Sequence, residues 1–320
     1  MPPAHNFPPG FQSQFHQRWG GLSDRHVRAL AWLLCAPDLL DAAAPQWQGR
    51  IAALSALPLP DLDAWLHDLD RHPAALHRHL AAQPIVRLGR YAEKLMAFCL
   101  AQCGVLVAHG VQVRSRDDGT VGEFDFLLKL HERLVHWEFA TKFYLLAASG
   151  HGNDADYFIG PNLADTLGAK TRKIFERQLK LSAHPSAQVH LPEPVSAAQA
   201  LVKGWLFYRE GEDGQLPGTS PMHCRGFWRP MSEIDMVTGE RYAVLPRLDW
   251  LAPARLPIAQ ALDRHSLRDA LAAHFAGERM PVLIAVLDVA GEAALEADRG
   301  FIVPDDWRAR ADAQHGSTRP

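Results

Sequence analysis

Val27, Leu30, Leu33 and Leu34 recur at helical spacing behind a Ser23-Asp24 capping pair, and residues 22–80 are rich in Ala and Leu, which predicts a helical N-terminal region. Pro58 and Pro60 interrupt it, and Asp61 is placed to cap a new helix carrying Leu62, Trp65, Leu66 and Leu69. A further helix is predicted over residues 88–102, with Leu88, Tyr91, Leu95, Phe98 and Leu100 as its apolar surface and Gly104 as its stop. The period then changes. Val105, Val107, Val111 and Val113 mark a β-rich stretch, Asp117-Asp118-Gly119 a turn, residues 122–130 an alternating strand, residues 131–134 a turn and residues 135–146 a second alternating strand. A loop over 150–161 leads into a basic helix over 163–181, and beyond Pro185, Pro192 and Pro194 another strand covers 200–208. The order is helix, three strands, helix, strand.

In the last third, residues 282–289 read as a nearly all-apolar, buried strand, 262–275 as a helix, 211–218 as a loop and the final ten residues as frayed. The chain thus reads as an α/β protein with a helical N-terminal region (1–83), a core (84–210) and a mixed C-terminal region (211–320) packed on that core. A hydrophobic fraction of 48% with 22% charged residues excludes a disordered or collagen-like chain. Thirty-three basic residues against thirty-six acidic ones leave a net charge of -3, so an anionic partner must be met by a local patch. Cys35, Cys99, Cys103 and Cys224 are too few and scattered for a disulfide framework, and a single C-x3-C favours core packing over zinc. The start of the chain lacks a basic segment followed by an apolar core, and the most apolar stretch, 29–40, falls short of the roughly 20 residues that span a bilayer, so a cytoplasmic location is expected.

Two tempting motifs fail on spacing. His131-Glu132 and His136 are one residue too far apart for H-E-x-x-H, so the two imidazoles cannot share a helix face. Gly150-His151-Gly152-Asn153-Asp154-Ala155 has the letters of a dinucleotide fingerprint, but Asp156-Tyr157-Phe158-Ile159-Gly160-Pro161 does not start a long helix. The alternating strands say more. Val135, Trp137, Phe139, Thr141, Phe143 and Leu145 share one face, and His136, Glu138, Ala140, Lys142 and Tyr144 share the other, which reads as polar. A two-residue turn at Glu132-Arg133 would set Asp125 opposite Ala140, with Glu138 and Lys142 on its diagonals at Cα separations of roughly 7–8 Å. Two carboxylates at that distance repel unless a cation compensates, and Mg²⁺ suits all-oxygen ligands. Such an ion lowers the pKa of a bound water and offsets charge on a phosphodiester. The same register pairs Glu123 with Lys142, so a plain cross-strand ion pair with solvated Asp125 and Glu138 explains these residues, and on spacing alone it is the favoured reading. The basic helix carries Lys170, Arg172, Lys173, Arg177 and Lys180 against Asp165 and Glu176, and reads either as a phosphate-tracking surface or as an ordinary solvated face, with Phe175 and Leu179 inward. Arg87, Arg90 and Lys94 are candidates to extend such a patch.

Taken in order, a helix with Glu93, then Gly122-Glu123-Phe124-Asp125, then His136-Trp137-Glu138-Phe139-Ala140-Thr141-Lys142, then a basic helix, resembles the core of the PD-(D/E)XK nuclease superfamily over residues 88–208. The closest resemblance is to a bacterial family, domain of unknown function 1853, whose C-terminal end is also similar to Arg299-Gly300-Phe301-Ile302-Val303-Pro304-Asp305-Asp306-Trp307. The resemblance implies a restriction-endonuclease-like core: helix, three-stranded antiparallel meander, helix, strand. It further implies Asp125 and Glu138 as ligands of Mg²⁺ or Mn²⁺, Lys142 as catalytic lysine and Glu93 as accessory acid. Metal-dependent cleavage of nucleic acid, DNA in the first place, would follow, with Lys170, Arg172, Lys173 and Arg177 gripping the strand. The superfamily's lysine stands two residues after the acid, where this chain has Ala140. Four strand residues span about 13 Å, so Lys142 must lean back or a bulge must shorten the path. A fold retained without catalysis, serving as a nucleic-acid-binding or adaptor module, is therefore the second expectation, and a module for protein contacts alone the third.

Overall fold

In the computed structural model, residues 10–115, 119–147, 154–212 and 216–316 are described. The expected turn at Asp117-Asp118, most of the fingerprint-like Gly150–Asp154 stretch and the middle of the 211–218 loop lie outside them. Helix α1 (Phe11–Trp19) precedes α2 (Arg25–Cys35), which begins where the Asp24 side chain accepts the N–H groups of His26 and Val27. Asp61 starts α3 (Leu62–Arg71) in the same way, accepting from Asp63 and Ala64, and α4 (Ala74–Ala81) follows. Helix α5 (Leu88–Gln102) ends before Gly104, whose φ of +68° is open to glycine at little cost.

Strands β1 (Leu106–Ser115), β2 (Gly119–Leu130) and β3 (Arg133–Leu146) form an antiparallel meander. The tight turn between the last two is His131-Glu132, both left-handed at φ 47° and 60°, the backbone that matches strand twist in a two-residue hairpin. The turn thus sits one residue earlier than expected. Leu130 faces Arg133 and Phe126 faces Trp137, so continuation of the register sets Asp125 opposite Glu138, not Ala140. Because moving the turn by one residue moves the pairing by two, parity survives and every side chain keeps its expected face.

Strand β4 (Phe158–Ile159), helix α6 (Leu167–Glu176) and β5 (Ala197–Tyr208) come next, followed by β6 (Cys224–Pro230), β7 (Arg241–Val244), β8 (Arg255–Pro257), α7 (Arg264–Gly277), β9 (Val282–Ala290), β10 (Ala293–Val303) and α8 (Trp307–Gly316). The fold is mixed α/β, with one large sheet in the order β1-β2-β3-β5-β6-β10-β9-β7; β4 pairs with β3 and β8 with β10. Strand β5 runs parallel to β3 and to β6, and β6 parallel to β10. The expected division at 210–211 is crossed by the sheet itself, since the C-terminal third continues it edge to edge. The strand and helix expected near 282–289 and 262–275 are β9 and α7, while α8 reaches Gly316 in the segment expected to fray.

Both faces of β3 are covered. Val135, Trp137, Phe139, Phe143 and Leu145 join the large core built with α2 and α5. Ala140, Tyr144 and Leu146 join a second core with Leu167, Ile174 and Phe175 of α6. The face read as polar is therefore buried, with His136 fully enclosed and Glu138 only 1% exposed.

Candidate functional site

Strand β2 stays paired with β3 only as far as Phe126 and Trp137. At the next step the ladder is replaced by a side chain: the Phe139 N–H donates to Asp125 Oδ2 at 2.9 Å. On its other edge β3 remains paired with β5 through Leu145, and β4 rejoins the first edge only at Leu145 and Leu146. Among the described residues, a window over 138–144 thus has no strand beside it on the β2 side. Asp125 and Glu138 stand at its mouth.

Around Glu138, His136 Nε2 lies 2.8 Å from Oε1, and Gln178 Nε2 donates to Oε2. Lys170 Nζ donates to Gln178 Oε1 at 3.2 Å, linking an α6 cation to the acid through the amide. Helix α6 is aimed there by Thr166, whose hydroxyl accepts the Ala169 N–H, and by the burial of Thr171, Ile174 and Phe175. The electrostatics are those of crowded acids. Desolvation, then the neighbouring Glu138 charge, push the Asp125 carboxyl up to about 8. Desolvation pushes Glu138 up to about 7, with Lys170 opposing it most. Burial holds His136 down to about 4, and its Nδ1 has no hydrogen-bond partner. Burial, and after it the charges of Lys142 and Lys173, lower the Lys170 ammonium.

Lys142 does not complete this group. Its Nζ donates to Asp165 Oδ2 at 3.1 Å, and Tyr144 donates its hydroxyl to the same oxygen at 3.0 Å. The cross-strand alternative for Lys142 also fails, since Glu123 faces Arg90 at 3.7 Å. Glu93 is held by Arg90 at 2.6 Å and acts on Asp125 only through its charge. Of the four α6-region cations expected on a binding surface, Lys170 turns into the acid pair and Arg172 forks onto Asp156 with both contacts at 2.9 Å. Lys173 and Arg177 face solvent. Sequence reasoning did not find His136, Gln178 or the place of Lys170 beside the acids. Two signals were present. His136 lies two residues before Glu138 on the same strand face, and Lys170 lies three after Leu167 and four before Ile174, at the margin of the buried helical stripe.

Among the described residues no three His, Cys, Asp or Glu side chains gather to hold a metal ion. Further along β3, a cavity of about 350 Å³ opens on the unpaired window, lined by Arg87, Thr141, Lys142, Asp165, Arg247 and Trp250 among others but by neither Asp125 nor Glu138. No helix among the described residues is long and apolar enough to cross a membrane. No curated protein and no solved structure matches the chain. Residues 28–303, from the middle of α2 to the end of β10, match the family described as Domain of unknown function (DUF1853), and the chain belongs to that family.

Proposed function

We propose that the protein is a metal-dependent nuclease whose site is the Asp125–Glu138 pair. One observation carries this reading: two carboxyl groups opposed at the point where β2 leaves β3, both driven towards protonation by burial, and Asp125 further by the charge of Glu138. Supporting it is the order α5, β1, β2, β3, α6, β5, interrupted only by the two-residue β4 before α6, which is compatible with a restriction-endonuclease-like core. The donors fit a hard divalent cation. Mg²⁺ is commonly held by one or two carboxylates, with water and phosphate oxygens completing its shell, so a third protein ligand is not required. Asp125 and Glu138 would hold Mg²⁺ or Mn²⁺, which when bound supplies a water of lowered pKa and charge to offset that on a phosphodiester.

The chain's own residues do the rest. His136 and Gln178 each bond one oxygen of Glu138 and so fix the plane of its carboxyl group. The Phe139 amide does the same for Asp125. Lys170 takes the role of the site's cation that the resemblance gave to Lys142. Held through Gln178 and with its ammonium destabilised by burial, it is suited to offset phosphate charge or yield a proton. The test is cleavage of plasmid and single-stranded substrates with Mg²⁺ or Mn²⁺ by the wild type and by Asp125→Ala, Glu138→Ala and Lys170→Met. Losses of at least about 100-fold are expected in all three variants. Equal turnover in wild type and variants would end the reading.

A second reading, a nucleic-acid-binding or adaptor protein without turnover, is favoured by Ala140 in the usual lysine position and by the engagement of Lys142 with Asp165. Salt-sensitive binding unchanged by Asp125→Ala, with no cleavage under either metal, would select it.

A further inference from the structure

The cavity on the open edge of β3 has a cationic wall that the acid pair does not use. Arg87, Lys142 and Arg247 line it against a single carboxylate, Asp165, which Lys142 and Tyr144 already engage. Arg87 and Arg247 are exposed, and among the described residues neither has a carboxylate partner; Arg247 lies only over the Trp250 ring, 5.6 Å from its centroid. Thr141 adds a hydroxyl that is buried and unpartnered. Both guanidinium groups are solvated and can meet an anion without first breaking an ion pair. Guanidinium forks match the oxygens of a phosphate group two at a time. The volume, about 350 Å³, exceeds what a bare ion fills.

We infer that this cavity is a phosphate subsite, in which Arg87, Arg247 and Lys142 hold a phosphate of the same nucleic-acid strand whose scissile phosphodiester lies at Asp125 and Glu138. The inference deepens the nuclease reading and rests on it for the identity of the ligand. Lys142 follows Glu138 by four strand residues, about 13 Å, so the two positions address different phosphates of one strand. Lys142 then has a purpose apart from chemistry: it binds in the subsite, with Asp165 and Tyr144 fixing its ammonium.

The test is fluorescence anisotropy of a labelled twelve-nucleotide single strand, titrated with protein in Ca²⁺ across a range of salt. Three proteins are compared: wild type, Arg87→Gln/Arg247→Gln, and Arg18→Gln/Arg71→Gln, which removes equal charge from α1 and α3. The first pair should weaken binding about tenfold or more and make the logarithmic salt slope shallower by about 1.4, while the second changes neither. Wild-type affinity and slope in the first pair, or no binding of the strand by wild type, would overturn the subsite. Inorganic phosphate separates the two sources of the anion. Displacement of the strand at equal concentrations of phosphate would assign the cavity to free phosphate and overturn the strand assignment; resistance supports it. Cleavage assays keep the claims apart. Metal-dependent cleavage by the wild type with unaltered binding in the first pair sinks the subsite and spares the nuclease reading; no cleavage by the wild type, with binding weakened in the first pair, does the opposite.

Discussion

Two clusters of charge are buried in this sheet, and they are built on opposite principles. At β10, Arg299 donates from Nε to Glu296 Oε1 at 2.5 Å, and from Nη2 to Glu296 Oε2 and to the Ala252 carbonyl, both at 2.8 Å. Its Nη1 donates to the Trp250 carbonyl, its guanidinium lies 4.1 Å from the centroid of Trp205, and Glu296 also accepts the Ala254 N–H at 2.8 Å. Each polar group has its partner. At β2 and β3, two acids share one lysine at second hand, and an imidazole nitrogen has no partner. A saturated cluster fixes one arrangement of three segments of chain; an under-compensated one retains a demand for positive charge. Burial alone therefore does not distinguish structural from functional charge, whereas the balance of partners does.

The comparison is broken most directly at Arg299. Arg299→Met leaves Glu296 buried without its cation, and a loss of about 3–5 kcal/mol is expected in urea unfolding. If Asp125→Asn costs as much, the two clusters are alike and the contrast is lost. Divalent ions give the next effect. Mg²⁺ at about 100 times its dissociation constant should stabilise the wild type by about 2.7 kcal/mol at pH 8, read as a higher Tm, and leave Asp125→Asn/Glu138→Gln unmoved. An equal rise in both proteins would place the ion elsewhere.

Without divalent ions the acid pair has its own pH signature. Its folded pKa values lie above the unfolded ones, so between about pH 4 and about pH 8 the native state binds more protons than the unfolded chain, and stability falls as pH rises through that window. Asp125→Asn and Glu138→Gln should be more stable than wild type at pH 8, by about 1 kcal/mol or more, and should flatten the decline between pH 5 and pH 8. A steeper decline in the variants would reverse the assignment. A substitution away from both clusters calibrates these measurements. Glu132→Gly relieves a non-glycine residue at φ 60° in the hairpin turn and should stabilise by about 0.5–1 kcal/mol at every pH, with no change in metal response.

The alternation of β3 was legible because its two faces meet different layers, and parity protected that reading even though the turn was placed one residue late. Helices α2 and α3 were legible through Asp24 and Asp61, whose short acceptors leave few other roles at those positions. The partner of Lys142 was not, because Asp165 sits in a connection without periodicity, twenty-three residues away. Strand β10 was hidden for a different reason. Glu296, Asp298 and Arg299 lie within it, and a register shift between Glu296 and Asp298 breaks the alternation, so a buried ion pair has the signature of a solvated loop. Gln178 lay beyond reach because it bonds from the first residue of the short 3-10 helix after α6 (Gln178–Ala183), where spacing rules give no direction.

The bond from the Phe139 amide to Asp125 takes the place of a strand-to-strand rung, so that amide's exposure to solvent is governed by one carboxyl group and not by the cooperative opening of the sheet. Its hydrogen-exchange rate is a built-in gauge. Whatever protonates, ligates or displaces Asp125 will change a single backbone resonance while its neighbours towards the hairpin stay silent.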